Sequence, residues 1–325
     1  MSRDAVIFVN LGTPESPTPQ GVRRFLREFL SDRRVVEIPR LIWWPILYGV
    51  ILPFRPNRVA HAYQSIWTEA GSPLKVLTEN LVDQVKQSLL EVLGEKTPEV
   101  YCAYTYGQPS IARQIAQLQN QGVERFLLLP LYPQYSATTT GSVYDQYARI
   151  IKSSRNVPDV RIQKSYYQRQ DYVAALVQSV KAHWQEHTPA QKLLFSFHGI
   201  PKRNVELGDP YQAQCIATAE SVAQALDLPA DRWLVSFQSR LGKAEWLKPY
   251  TDVVLSEWPA EGVESVDVIC PAFAIDCLET LEEIDVENRE LFLASGGKRY
   301  QYIKCLNDNS AHVFMFSNIV LEHFA

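Results

Sequence analysis

The feature that most constrains the fold is a set of short, largely apolar runs, most of them ending at Gly or Pro. They are Val6–Leu11, Arg125–Leu131, Leu193–His198, Trp233–Phe237 and Val266–Cys270. Continuous runs, unlike alternating ones, suit strands covered on both faces, the condition of a parallel sheet with helices on either side. Helical patterns separate the runs, so the chain reads as α/β.

The runs also repeat. Val6–Pro14 and Leu194–Pro201 are each a strand followed by a Gly two residues before a Pro. Val100–Gly107 parallels Leu234–Gly242, and Gly122-Val123-Glu124 leads to Pro130 as Gly262-Val263-Glu264 leads to Pro271. Three matches in one order predict two similar Rossmann-like halves, each a parallel sheet flanked by helices, and the period is far too long for a solenoid. The halves are expected at 1–160 and 161–325, the second ending in a C-terminal helix, with the turn-rich Lys152–Asn156 near the join. Ligands of open α/β sheets sit beyond the carboxyl ends of the strands, so these strand ends are expected to border one cleft between the halves.

Composition narrows the function. Of 325 residues, 46% are apolar and 21% charged, which is a globular balance, and the net charge of -4 argues against a nucleic-acid partner. Arg23, Arg24, Arg27, Arg33, Arg34 and Arg40 crowd one stretch and read as a solvated helix face. The five cysteines are odd in number and form no C-x-x-C pair, so neither a disulfide framework nor a structural zinc site is expected, and a reducing compartment fits. Met1-Ser2-Arg3-Asp4 runs straight into Ala5–Val9 without the shape of a secretory signal. A cytoplasmic protein is expected. The uncharged stretch 41–54 (LIWWPILYGVILPF) is too short for a spanning helix and is broken by Pro45 and Pro53. It reads as the lip of an apolar pocket, as a segment lying on the inner face of a bilayer, or as both; a buried core helix is the plain alternative. No G-x-G-x-x-G or P-loop points to a nucleotide.

Several residues carry candidate chemistry. Among six histidines only His198 ends a buried-strand pattern, where a neutral imidazole takes a proton or binds a metal. His183 and His187 stand one helical turn apart and read as an exposed face, with no third ligand nearby. After the Val266–Cys270 run, Glu279, Glu283 and Glu287 recur every four residues on one helix face. Like charges at that spacing repel, and a cation track removes the penalty. Ser72-Pro73 reads as a helix cap, and helix N-termini attract carboxylates. Arg55 and Arg240 are further carboxylate partners, and Tyr106 and Trp246 belong to a set of aromatics suited to stacking on a planar ligand.

Taken together, Val9–Glu15, Tyr106-Gly107-x-Pro109-Ser110, Pro130–Ser136, Ser196–Pro201, Gly208–Tyr211, Gln238–Gly242, Trp246-Leu247 and Asp276-x-x-Glu279-Thr280-Leu281 resemble the ferrochelatase family, in the family's order, from about residue 5 to residue 310. The resemblance implies insertion of ferrous iron into protoporphyrin IX to form protoheme, the last step of heme synthesis. It implies His198 as the active-site histidine, with Glu279 facing it across the porphyrin and Glu283 and Glu287 continuing a metal path in a helix with a π-type stretch. By the same resemblance Arg55, Ser72 and Arg240 hold porphyrin propionates, and Leu11, Tyr106 and Trp246 line the macrocycle. Ferrous iron is then a substrate, with no permanently bound cofactor. Only Cys305 lies late in the chain, so no [2Fe–2S] cluster is expected. Departures from the pattern are Tyr104-Thr105, where relatives often show Met-Arg, and Cys277, where animal members carry a histidine. Leu11, in place of the Tyr of some Gram-positive relatives, favours protoporphyrin over coproporphyrin. A chelatase for another metal or tetrapyrrole, and a non-catalytic porphyrin or heme carrier, are the rival readings. A carrier has no need of three glutamates in a row.

Overall fold

The computed structural model describes residues 3–242 and 244–324; Met1 and Ser2, where the N-terminal segment begins, lie outside the described residues. The chain divides into two compact units, Met1–Leu131 with Ser136–Lys164 and Phe316–Ala325, and Tyr132–Tyr135 with Ser165–Met315.

The first unit contains β1 (Arg3–Asn10), α1 (Pro19–Ser31), α2 (Arg40–Ile46), α3 (Leu52–Ile66), α4 (Pro73–Leu93), β2 (Glu99–Tyr104), α5 (Ile111–Asn120), β3 (Val123–Pro130), α6 (Thr140–Ser153) and β4 (Asp159–Ile162). Its sheet is parallel throughout, in the order β2-β1-β3-β4. Ala5 to Val9 are fully buried because α-helices cover both faces of the central strand. In α1, Val22, Phe25, Leu26 and Leu30 form the buried stripe at helical spacing, while Arg23, Arg24 and Arg27 stay exposed. Thr18 caps that helix by accepting the Gly21 N–H, and Pro19 opens it. Each fully buried Leu, Ile or Phe of such a core contributes roughly 1.5–3 kcal/mol.

The second unit contains α7 (Gln170–Glu186), β5 (Lys192–His198), α8 (Lys202–Glu206), α9 (Tyr211–Ala225), β6 (Trp233–Gln238), α10 (Thr251–Glu257), β7 (Ser265–Ile269), a π-helix (Glu279–Glu287), α11 (Asn288–Ala294), β8 (Arg299–Ile303) and the start of α12 (Ser310–Phe324). The order β6-β5-β7-β8 repeats that of the first unit, again all parallel. Leu194, Val266, Val268, Ile284 and Phe292 build its core. In this order the topology reverses between β5 and β7, the position where open α/β sheets bind ligands.

The five apolar runs became β1, β3, β5, β6 and β7. The boundary expected at 160 falls at Lys164, and the assignment of everything after 161 to the second half needs correction. From Phe316 onward α12 belongs to the first unit, where Phe316 meets Phe8 edge-on at 5.2 Å and Ser317 meets Ser88 at 3.1 Å. Segment 41–54 is helical: α2, a π turn (Leu47–Ile51) and the start of α3. It is not a buried core helix, because Leu41, Ile42, Val50 and Phe54 are exposed, Leu41 to 91%. Among the described residues no helix is long and apolar enough to cross a membrane.

Candidate active site

The carboxyl ends of β5, β6 and β7 gather the second unit's candidate residues. His198 is the last residue of β5. Its Nδ1 lies 2.7 Å from the Gly199 carbonyl oxygen. A carbonyl only accepts, so Nδ1 carries a proton, and of the two neutral tautomers the contact selects the one whose lone pair is on Nε2, the nitrogen available as a base or a metal ligand. Gly199 is required at this corner: an added Cβ would stand 2.8 Å from the Gln238 carbonyl oxygen and 3.2 Å from the Trp246 ring.

Beyond β7 the chain turns into the π-helix on which Glu279 and Glu283 are part-buried and Glu287 is exposed. The wider π turn brings residues four apart nearer to alignment than the α-helix's 3.6 residues per turn does, so the winding keeps the three glutamates on one face. Asp276 anchors the helix start. Its buried carboxylate accepts from Thr280 Oγ1 at 2.8 Å, the Tyr302 hydroxyl at 2.6 Å and Asn307 Nδ2 at 2.7 Å. Neighbouring Cys277 is buried, and burial pushes its thiol well above the usual range, which disfavours a metal-binding thiolate.

Glu283 accepts from the Ser239 N–H at 2.9 Å and from the Ser239 hydroxyl at 2.5 Å. Burial raises its carboxyl from 4.5 to about 7; the charges of Glu279 and Glu287 add to the rise, and the two Ser239 bonds oppose it. Ser239 takes a left-handed backbone, φ 65°, which turns its N–H toward Glu283. A cavity of about 290 Å³ opens here, lined by Ser239, Arg240, Asp252, Glu283, Glu287 and Asn288 among others. His198 and Glu279 are not among its lining residues. Among the described residues no three His, Cys, Asp or Glu side chains converge to hold a metal ion, so His198, Glu279, Glu283 and Glu287 do not form one closed centre.

Other expectations meet specific contacts. Arg240 is ion-paired with Asp252 at the surface and stacked on half-buried Tyr250 at 4.1 Å. Exposed pairs hold weakly, typically about 0–1 kcal/mol, so an incoming carboxylate competes for this guanidinium. Trp246 donates its indole N–H to the Leu241 carbonyl at 3.0 Å. His183 is not on an exposed face: its side chain is 13% accessible and lies 3.8 Å from buried Asp267, while His187 falls just beyond α7. Desolvation at this position lowers the His183 pKa.

In the first unit, the β1 and β2 ends carry Leu11 and Tyr106. Tyr106 N–H donates to the Leu11 carbonyl at 2.9 Å, and the buried Tyr106 hydroxyl donates to Asp32 at 2.9 Å. Ser72 occupies the N-cap position of α4, but its side chain makes no cap bond; its buried Oγ accepts from Thr13 Oγ1 at 2.8 Å instead. The reading of its hydroxyl as a cap is thereby corrected: Thr13, carried on the loop after β1, claims it. Arg55 is half-buried in α3.

Sequence reasoning missed the parts played by Gln238 and Ser239. Both stood inside a quoted motif. The available signal was a polar pair closing an apolar strand whose neighbour ends in His198.

A family model described as Ferrochelatase matches residues 3–324. Ferrochelatase 1 of Shewanella oneidensis is 50% identical over 317 residues, spanning 98% of this chain and 95% of that protein. Ferrochelatase of Aeromonas hydrophila is 48% identical over 324 residues, spanning 100% and 99%. Among solved structures, SirB from Bacillus subtilis with Fe3+ superposes with a TM-score of 0.58 at 11% identity, covering 98% of this chain and 95% of that one. A likeness at that identity is one of fold: the two-sheet chelatase arrangement.

Proposed function

The chain belongs to the ferrochelatase family and is an enzyme that inserts ferrous iron into protoporphyrin in heme synthesis, and on that premise we propose which of its residues do the work. Free protoporphyrin IX holds two pyrrole protons. Forming protoheme binds one ferrous ion and releases both protons. His198 accepts pyrrole protons through Nε2 on one face of the macrocycle, and Glu279 assists deprotonation or hands over the metal on the other. The observation that carries this assignment is the Nδ1 contact to the Gly199 carbonyl, which makes Nε2 the lone-pair nitrogen of the neutral tautomer.

Glu283 and Glu287 are read as a path for the incoming ion. Carboxylate oxygens suit a hard divalent cation, and separated ligands favour passage over retention. Leu11, Tyr106 and Trp246 are assigned to the macrocycle, and Arg55, Ser72 and Arg240 to its propionates. Iron enters this reading as substrate, and no [2Fe–2S] cluster or other resident cofactor has a part in it. The partners are protoporphyrin IX and ferrous iron, with no nucleic acid. The exposed apolar side chains of α2 and α3, flanked by Arg40 and Arg58, support a cytoplasmic protein resting peripherally on the inner face of a membrane.

The test is anaerobic absorbance with protoporphyrin and ferrous iron. Growth of a heme spectrum in proportion to enzyme, lost in His198→Ala, supports the assignment. Porphyrin binding without insertion favours a carrier, and insertion of another metal in preference to iron favours a different chelatase.

A further inference from the structure

We infer that Gln238 is a positioning residue that fixes the His198 corner against the first turn of the π-helix carrying Glu279. The inference rests on the assignment of His198 and Glu279 as the reacting pair. Gln238 ends β6 directly beside His198, its register partner on β5. Its backbone carbonyl accepts the Gly199 N–H at 2.7 Å, so the main chain on both sides of the His198 corner is tied to it. Its side chain reaches the other way: Nε2 donates to the Glu279 carbonyl at 3.0 Å.

The amide has one orientation. The Glu279 carbonyl only accepts, so the nitrogen must face it. Oε1 then faces the Ser196 hydroxyl, which donates at 2.8 Å, and Cys270 Sγ at 3.6 Å. Ser196 is held in turn by Thr251 at 2.9 Å, and Thr251 by Ser236 at 2.8 Å. Gln238 is buried, so no water replaces a lost bond cheaply. One rigid side chain therefore spans two elements that the sequence brings together from far apart. Its role is to set how far Glu279 stands from the imidazole.

The role is separable from fold maintenance. Gln238→Glu keeps the length and the acceptor for Ser196 but removes the donor to Glu279; Gln238→Met removes both at similar volume. Ser236→Ala removes a hydroxyl of the same buried chain without touching Glu279 and is the structural control. His198→Ala and Glu279→Ala run in the same assay. Both Gln238 variants are expected to lose about 10–100-fold in kcat, the scale of a small misplacement of reacting groups. KM for protoporphyrin should stay within about twofold, and Ser236→Ala should keep kcat, because the bond that matters is the one to Glu279. Retention of kcat in Gln238→Glu while His198→Ala and Glu279→Ala are inactive overturns the positioning role. An equal kcat loss in Ser236→Ala also overturns it, since the effect is then general. Normal turnover in His198→Ala and Glu279→Ala overturns the assignment of the pair, and the positioning role with it.

Discussion

The Ser239 N–H and the Ser239 hydroxyl each donate to a different oxygen of Glu283, at 2.9 and 2.5 Å. Both bonds favour the ionised carboxylate, yet its pKa still stands at about 7 because burial outweighs them. Ser239→Gly is expected to raise that value further: it removes the hydroxyl and relieves the positive φ, so the chain folds at least as well. Carbon-13 NMR titration of labelled glutamate reads the change directly. An unaltered Glu283 titration in this variant would show that the hydroxyl has no hold on the charge.

Glu283 makes stability depend on pH in a defined direction. Its folded pKa lies above the ordinary 4.5, so between 4.5 and about 7 the native state binds more protons than the unfolded chain. Stability then falls as pH rises through that window, by up to roughly 3 kcal/mol for a fully coupled group. Glu283→Gln should raise the unfolding temperature at pH 8 and change it little at pH 4. Equal shifts at both pH values would contradict the burial argument.

His198→Ala should lower turnover by at least about 100-fold, the scale of a lost general base, while protoporphyrin binding changes only a few-fold. Stopped-flow heme formation beside porphyrin fluorescence quenching separates the two. Near-normal turnover would remove His198 from the chemistry.

Gly12→Ala should be among the most damaging small substitutions. Gly12 has φ +104°, and an added Cβ would fall 1.8 Å from the Tyr106 carbonyl oxygen. Backbone strain and displacement of the Tyr106 turn together are expected to cost about 3 kcal/mol or more, measured by denaturant unfolding. A loss below about 1 kcal/mol would mean that the β1 and β2 loops yield easily.

Leu41→Ser and Phe54→Ser test the bilayer reading, as these side chains are 91% and 74% exposed. Burying either one in lipid is worth roughly 1.5–3 kcal/mol, or about ten- to a hundred-fold in partitioning. Cosedimentation with vesicles containing anionic phospholipid should drop by that factor for each variant. Binding that is absent in the parent protein, or unchanged in both variants, would leave this surface without a lipid role.

The central strands were legible because β1, β3, β5 and β7 are covered on both faces and leave continuous apolar runs. The strands β4 (DVRI) and β8 (RYQYI) were not, since charged and polar residues interrupt both, whereas β6 (WLVSFQ), also at a sheet edge, stays apolar enough to be read. His198, Glu279 and the acidic spacing were visible for the same reason as the strands: they stand where buried patterns stop. What stayed hidden depends on contacts between residues distant in sequence. Nothing near Ser72 shows that Thr13 takes its hydroxyl, and nothing near Arg240 selects Asp252 over a ligand. The His183 environment likewise comes from Asp267, inside a strand more than eighty positions later.

The division of α12 has a consequence for biosynthesis. Phe316, Ile319 and Val320 are buried residues counted with the first unit, although the ribosome makes them after the whole of the second. The β2-β1-β3-β4 sheet, whose last strand ends at Ile162, must therefore wait through about half of translation with the Phe8 side of its core incomplete.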